Sequence, residues 1–391
     1  MSSFVLAMRK SRIALFTGNY NHIRDGVSNT LNRLVAHLDK RGYEVLVFGP
    51  WTPEPAMEHV GNYVPVYSIP APGRPEYRIT LGFPSTEKQK LRDFDPDLIH
   101  IATPDLLGFR ALRYAMKNDI PVVSSYHTHF ASYLKYYRLK FLERPLWKYL
   151  HWFYRNNEHL YVPSPSMIQE LRRERVACEL KLWSRGVDTN LFNPGQRDPV
   201  WRRSLGFSDD DLVIVFVSRL VWEKNLDMVV RVFGRIDKLA PAVRTLVVGD
   251  GPARTQLAKH LPNTVFTGYL TGRELARAYA SGDIFFFPSD TESFGNVTLE
   301  AMSSGLPAVV ARAVGNMSLV DDGKTGYQVE ASDEARFTEC LLEIIESSEL
   351  RNKMASLSRI KAQSYDWERI LDQLVSYYDE ILMNNSSNPV S

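Results

Sequence analysis

Short runs of consecutive apolar residues alternate along this chain with longer stretches whose apolar positions recur every three or four residues. The runs 13–17, 44–48, 98–102 and 122–126 predict buried strands, and the amphipathic stretches 27–40 and 106–117 predict helices, the first ending near Gly42. Residues 50–85 are rich in proline and glycine and predict short strands and loops. A second series follows, with strands predicted at 213–217, 245–248, 265–267, 284–287 and 308–310 and helices between them. Such alternation places the chain in the α/β class and predicts parallel, doubly wound sheets. The Pro- and Gly-containing stretch 186–199 separates the two series, so two domains are expected, residues 1–190 and 191–365, with a cleft between them. A length of 391 residues agrees, since that is too long for one ordinary core. The polar tail 385–391 predicts disorder.

One segment of the second series carries distinctive chemistry. Glu292 and Glu300 bracket a glycine turn that leaves the strand 284–287 at Pro288 and enters a helix over 297–302, which Gly305 and Pro307 stop. A helix starting there would aim the backbone amides of Asn296, Val297 and Thr298 outward as an anion site. One continuous helix would hold the two carboxylates about 12 Å apart along its axis. The turn at Gly295 instead lets both face one ligand, and two acceptors beside an anion site suit a sugar nucleotide. Arg219 and Lys224 fall in the loop after strand 213–217, at the sheet edge where α/β proteins bind ligands. Taken alone, an Arg-x4-Lys pair reads more simply as two solvated surface cations. Gly249 and Gly251, after another strand, allow close backbone approach, but the third glycine of a dinucleotide fingerprint is missing.

Composition narrows the options. With 47 basic and 45 acidic residues the net charge is +2, which gives no global argument for nucleic acid. Cys178 and Cys340 are far apart and form no metal or disulfide framework; both read as core residues of a protein in a reducing compartment. The apolar stretch 4–7 is too short for a signal peptide, Met8 is an alternative start to Met1, and no window reaches the ~18 apolar residues of a membrane span. A cytoplasmic protein, or one peripheral on the cytosolic face of a membrane, is expected. His127-Thr128-His129 lacks a third ligand at useful spacing, and Asp95-Pro96-Asp97 reads as a loop boundary, so no metal site is assigned. Residues 130–158 interleave ten aromatics with six Lys or Arg and two Glu. That mixture suits a helical surface lying in anionic lipid headgroups, with Tyr133, Lys135, Arg138, Lys140 and Lys148 as contacts; the competing reading places half of the aromatics in the core.

The segments "SYHTH" (125–129), "LWSRGVDTNLF" (182–192), "FVSRLVWEKN" (216–225), "VVGDGP" (247–252), "FTGYLTGRELARAYASGD" (266–283) and "LEAMSSGLP" (299–307), with the E-x7-E pattern of 292–300, resemble the family 4 (GT4) retaining glycosyltransferases of the GT-B type. Within it the chain looks most like glycolipid synthases such as sulfoquinovosyldiacylglycerol synthases and lipid mannosyl- or glucosyltransferases. The resemblance implies two Rossmann-like domains facing a cleft and a last helix, 366–384, that crosses back onto the first domain. It implies transfer of a hexose, glucose or glucuronic acid, from a UDP-sugar to a lipid such as diacylglycerol, with no metal cofactor. GDP-mannose as donor, or a soluble sugar acceptor, are the alternatives. By the same resemblance Arg219 and Lys224 bind the diphosphate, Glu300 the ribose, and Glu292 and His127 the reacting sugar. Tyr269 and Leu270 meet the base, while Gly26, Phe294, Gly295 and Asn296 offer backbone contacts. Many relatives carry two glycines where this chain has Asp25-Gly26.

Overall fold

The computed structural model describes residues 9–387 except Gly73, residues 128–140, Leu142 and Ser293. Fifteen strands appear among the described residues. The first domain holds β1 (Arg12–Phe16), β2 (Glu44–Pro50), β3 (Asn62–Val66), β4 (Ser68–Ala71), β5 (Arg74–Thr80), β6 (Leu98–Ile101), β7 (Val122–Ser125), β8 (His159–Val162) and β9 (Glu179–Leu182). The second holds β10 (Val213–Val217), β11 (Arg244–Val248), β12 (Val265–Gly268), β13 (Ile284–Phe287), β14 (Ala308–Ala311) and β15 (Gly326–Val329).

Two sheets result, ordered β3-β2-β1-β6-β7-β8-β9 and β12-β11-β10-β13-β14-β15, and every neighbouring pair in both is parallel. The doubly wound α/β class expected from the alternation is therefore the observed one. Central strands such as β10 and β13 are buried at every position, as a parallel sheet with helices on both faces requires. The strand order reverses between β1 and β6 in one sheet and between β10 and β13 in the other, which opens a crevice at the carboxyl ends of those strands. Outside both sheets, β4 and β5 form an antiparallel hairpin.

The helix Trp367–Ser387 packs on the first domain although it follows the second in sequence. Leu371, Leu374, Val375, Tyr378 and Ile381 are buried in one core with Leu31, Leu34, Leu38 and Val123. Polar contacts fix its register: Lys40 Nζ donates to Glu368 Oε1 at 2.8 Å, His37 Nε2 meets Asp372 Oδ1 at 2.7 Å, and Tyr378 Oη meets His100 Nδ1 at 2.6 Å inside the core. This helix runs past Asn384, the end expected from its polar tail, and includes Asn385 to Ser387. Helical hydrogen bonds propagate from the turn anchored by Ile381, and a polar helix end needs no burial to persist.

Candidate active site

Three loops leave the second sheet at its switch point and carry most of the sequence-selected residues. After β10 the chain passes through Arg219 into a single 3-10 turn, Trp222–Lys224, and Asn225 follows in the left-handed region, φ 57°. Asn225 Nδ2 donates to Pro288 O at 3.1 Å, tying this loop to the one after β13. Across that tie Lys224 Nζ donates to Glu292 Oε1 at 2.5 Å, and Ser289 Oγ donates to the same oxygen at 3.1 Å. The fixed cation and the first carboxylate of the E-x7-E segment thus form a partly buried ion pair.

Gly295, at φ 93°, makes the turn into the helix Asn296–Ser303 and occupies its N-cap without any side-chain cap among the described residues. Gly249 and Gly251 also have positive φ, and they have a second reason to be glycine: a Cβ would lie 1.8 Å from Ser218 O at Gly249 and 2.4 Å from Leu220 O at Gly251. Both positions therefore serve first to let the β11 loop press against the backbone that presents Arg219, in addition to any ligand contact. From the first domain, the helix Gly26–Lys40 points its start at the cleft. A Cβ on Gly26 would lie 2.8 Å from Asn296 Nδ2 of the opposite domain. Asp25 caps this helix by accepting from Ser28 N at 2.8 Å, and it also accepts from Asn19 Nδ2 at 2.8 Å.

Between the domains, Arg219, Gly249, Tyr269, Leu270, Val297 and Glu300 line a cavity of about 560 Å³. An adjoining one of about 670 Å³ is lined by Gly26, Asn296 and again Tyr269, Leu270 and Glu300. Tyr269 is 64% exposed, so it belongs to the cleft and not to the core. Phe294 and Thr298 are placed otherwise: Phe294 is buried against Tyr365, and the buried Thr298 Oγ1 donates to Asn316 Oδ1 at 3.0 Å, which leaves only their backbones for a ligand. Glu300 accepts from Tyr279 Oη at 3.0 Å; burial pushes its carboxyl up to about 7 against that hydrogen bond, which lowers it.

Arg219 is not a free surface cation. Its Nη2 donates across the cleft to Glu76 Oε1 on β5 at 3.0 Å, and Arg74 Nε donates to the same oxygen at 2.7 Å. Burial raises the Glu76 carboxyl, but the hydrogen bonds from Arg74 and Arg219 outweigh it and hold the group at about 2. Glu76 lies 143 positions from Arg219, and no motif marks it. His127 stands two residues past β7 on the first domain, where its Nδ1 accepts from Arg185 Nη2 at 2.8 Å. It lies outside both sets of cleft-lining residues above, and the sequence gives no sign of its pairing with Arg185.

Tyr133, Lys135, Arg138 and Lys140 lie outside the described residues. Lys148 is exposed on the helix Glu143–Tyr154, away from the cleft. Its aromatic neighbours on this helix agree with the competing reading of the sequence, which places half of the aromatics in the core: Phe153 and Tyr154 are buried, Trp147, Tyr149 and Trp152 pack on the same core, and Tyr149 Oη donates to Pro104 O at 2.9 Å. Among the described residues of this stretch only Phe141, 73% exposed, presents an open ring. Asp95 and Asp97 sit at the entry to β6, with Asp95 paired to Arg9 and Asp97 accepting from Arg12 N. Among the described residues no helix is long and apolar enough to cross a membrane.

Two doubly wound α/β domains that face a cleft have the GT-B fold of glycosyltransferases. Sucrose-phosphate synthase from Thermosynechococcus elongatus has the same fold, with a TM-score of 0.79 at 20% identity over 96% of this chain and 100% of that one. Residues 24–191 match the model of Glycosyltransferase Family 4, and residues 198–360 that of Glycosyl transferases group 1. Among curated proteins, the sulfoquinovosyl transferase SQD2 of Arabidopsis thaliana is 33% identical over 91% of this chain and 71% of its own length. A GDP-mannose-dependent alpha-mannosyltransferase of Mycobacterium tuberculosis is 31% identical over 95% of this chain and 97% of its own length. The alpha-monoglucosyldiacylglycerol synthase of Acholeplasma laidlawii is 25% identical over 96% and 98%. The chain belongs to the family 4 glycosyltransferases, and it is an enzyme of that class.

Proposed function

We propose that this enzyme transfers a hexose, glucose or glucuronic acid, from a UDP-sugar to a membrane lipid such as diacylglycerol, with retention at the anomeric carbon and without a metal ion. The observation that carries the reading is the cleft in which Arg219 and Glu300 share one cavity while Lys224 is held on Glu292 beside it. Departure of the nucleoside diphosphate concentrates negative charge on its phosphate oxygens, and preorganised cations lower that barrier without reorganisation at the moment of reaction. Arg219 and Lys224 are the cations for that task. Glu300 accepts from the ribose hydroxyls, Glu292 holds a hydroxyl of the transferred sugar, and His127 donates to the same sugar from the first domain. Tyr269 and Leu270 border the base.

Support for a lipid acceptor comes from the diacylglycerol named for the Acholeplasma relative and from a basic surface on the first domain. There Lys88, Arg92, Arg110, Arg113 and Lys117 line one hollow with no acidic residue among its lining, whereas in the hollow beside Phe141 the cations Arg144 and Lys148 are balanced by Glu143 and Glu174. Near an anionic bilayer each such cation contributes about 1 kcal/mol, which supports the reading of a peripheral protein on the cytosolic face of a membrane. GDP-mannose as donor is the second reading, favoured by the match to the mannosyltransferase along nearly its whole length. Incubation with radiolabelled UDP-glucose, UDP-glucuronic acid and GDP-mannose plus membrane lipids, in EDTA, followed by organic extraction, separates the two. A UDP-dependent label in the lipid phase is the expected result; label only from GDP-mannose, only in a water-soluble product, or only after Mn²⁺ is restored would each overturn the corresponding element.

The raised Glu300 carboxyl supplies a pH signature. A group near 7 is largely protonated at pH 6, whereas ribose hydroxyls donating to it favour the ionised form. Binding of the nucleotide below pH 7 therefore releases a proton, and affinity falls by up to about tenfold for each pH unit below that point. Calorimetry with UDP at pH 6, 7 and 8 measures this, and the difference from Glu300→Gln cancels titration of the nucleotide's own phosphate. Identical pH profiles for the two proteins would remove Glu300 from the ribose site.

A further inference from the structure

Arg185 carries a buried guanidinium that the donor cleft does not use. It is 5% exposed, no carboxylate pairs with it among the described residues, and its Nη1 finds no acceptor there. Leaving such a group buried costs stability unless it acts on something. What it acts on is His127, whose Nδ1 accepts from Arg185 Nη2 at 2.8 Å. Trp183, two residues earlier on the same extended segment, flanks both groups, with its ring 5.3 Å from the imidazole and 5.8 Å from the guanidinium.

The chemistry of this contact has only one sense. Arginine has donors and no acceptor, so His127 Nδ1 must be unprotonated and the single proton of the neutral ring must sit on Nε2. We infer that Arg185 is a positioning residue that locks His127 as a neutral Nε2–H donor and so makes it a fixed hydrogen-bond donor to the transferred sugar, never a proton-transfer group. The inference rests on the reading of His127 as a sugar contact. The surroundings agree: burial, then Arg185, then His100 all push the His127 ring well below its ordinary value. His100 itself is buried, with its own ring nitrogens on Tyr378 Oη and Ser125 Oγ. Burial brings the Arg185 guanidinium down to about 10, and the Asp25 carboxylate acts against that shift.

The test uses full-length protein labelled with ¹⁵N-histidine, with the His127 signals assigned by their loss in His127→Gln. Long-range ¹H–¹⁵N correlation of the wild type needs no variant beyond that assignment: a neutral Nε2–H ring that does not titrate between pH 5.5 and 8.5 is expected. Protonated Nδ1, or a titration near the ordinary histidine value, overturns the inference. In Arg185→Met the ring should titrate within that range. Its kcat at saturating donor should then fall about tenfold or more as pH drops through the new midpoint, because an imidazolium opposes positive charge developing at the anomeric carbon. Arg185→Lys, which restores a cationic donor, should recover the wild-type profile. An Arg185→Met protein whose ring and kcat profile match wild type also overturns the proposal. Should His127→Gln keep full kcat while the wild-type spectrum shows the locked tautomer, the sugar contact is what fails, and the control of the ring by Arg185 stands.

Discussion

Alanine in place of Lys224 is expected to lower kcat about 100-fold or more, the usual scale for losing one preorganised donor to transition-state charge. Two effects combine at this position. The departing diphosphate loses a cation, and Glu292 loses the partner that holds its carboxylate at 2.5 Å in a partly buried setting. Arg219→Ala should reach a similar kcat loss by the first effect alone, while Glu76 loses one of its two arginine partners. Rates at saturating donor, measured on protein with wild-type circular dichroism and melting temperature, decide the matter. A well-folded Lys224→Ala enzyme with full kcat would contradict the assignment of the phosphate site.

Ending the chain after residue 365 should abolish the fold of the first domain, although every strand of its sheet remains. The removed helix buries five large side chains, Leu371, Leu374, Val375, Tyr378 and Ile381. At about 1.5–3 kcal/mol each their burial is worth on the order of 10 kcal/mol, as much as the whole stability of an ordinary domain. Removal would also uncover the helix Gly26–Lys40 and leave His100 without Tyr378. The single change Leu374→Ala should cost about 2–5 kcal/mol and lower Tm by several degrees. Thermal unfolding followed by near-ultraviolet circular dichroism reports both. A truncated chain that still unfolds cooperatively at the wild-type temperature would show that the first domain is self-sufficient.

What the sequence made legible follows from burial. The strands β10 and β13 are apolar at nearly every position because helices cover both faces, so a run of like residues marks them. Edge strands carry no such mark: β9 alternates acidic and basic with apolar residues at half-exposed positions, and β15 opens on a glycine and includes Gln328. The hairpin β4–β5 lies among prolines and exposed positions, yet it delivers Glu76 to Arg219. Within the site, pattern revealed what is local. Glu292, Gly295 and Glu300 lie on one loop-to-helix segment, and Lys224 belongs to a neighbouring motif. Partnerships across the cleft or between distant loops, Glu76 with Arg219 and Arg185 with His127, are set by tertiary approach and leave no spacing to detect. The aromatics of 147–154 left two readings open for a related reason: composition counts rings, but only packing decides which face of the helix they occupy.

The peptide crosses between the domains at residues 186–188 and again at 365–367, and the two crossings touch. Val187 pairs with Asp366 as an isolated parallel bridge, Val187 N donates to Tyr365 O at 3.0 Å, and Gly186 lies so tightly under Trp367 that a Cβ would come within 2.6 Å of its ring. A single connecting strand would act as a swivel, free to twist, slide and bend. Two strands bonded side by side behave as a door hinge: rotation about the line through both stays soft, while torsion and sliding would shear the bonds between them. The close approach of Gly26 to Asn296 across the cleft is thus spanned by two connections bonded to each other, which resist a twist or slide of one domain on the other more than a single connection would.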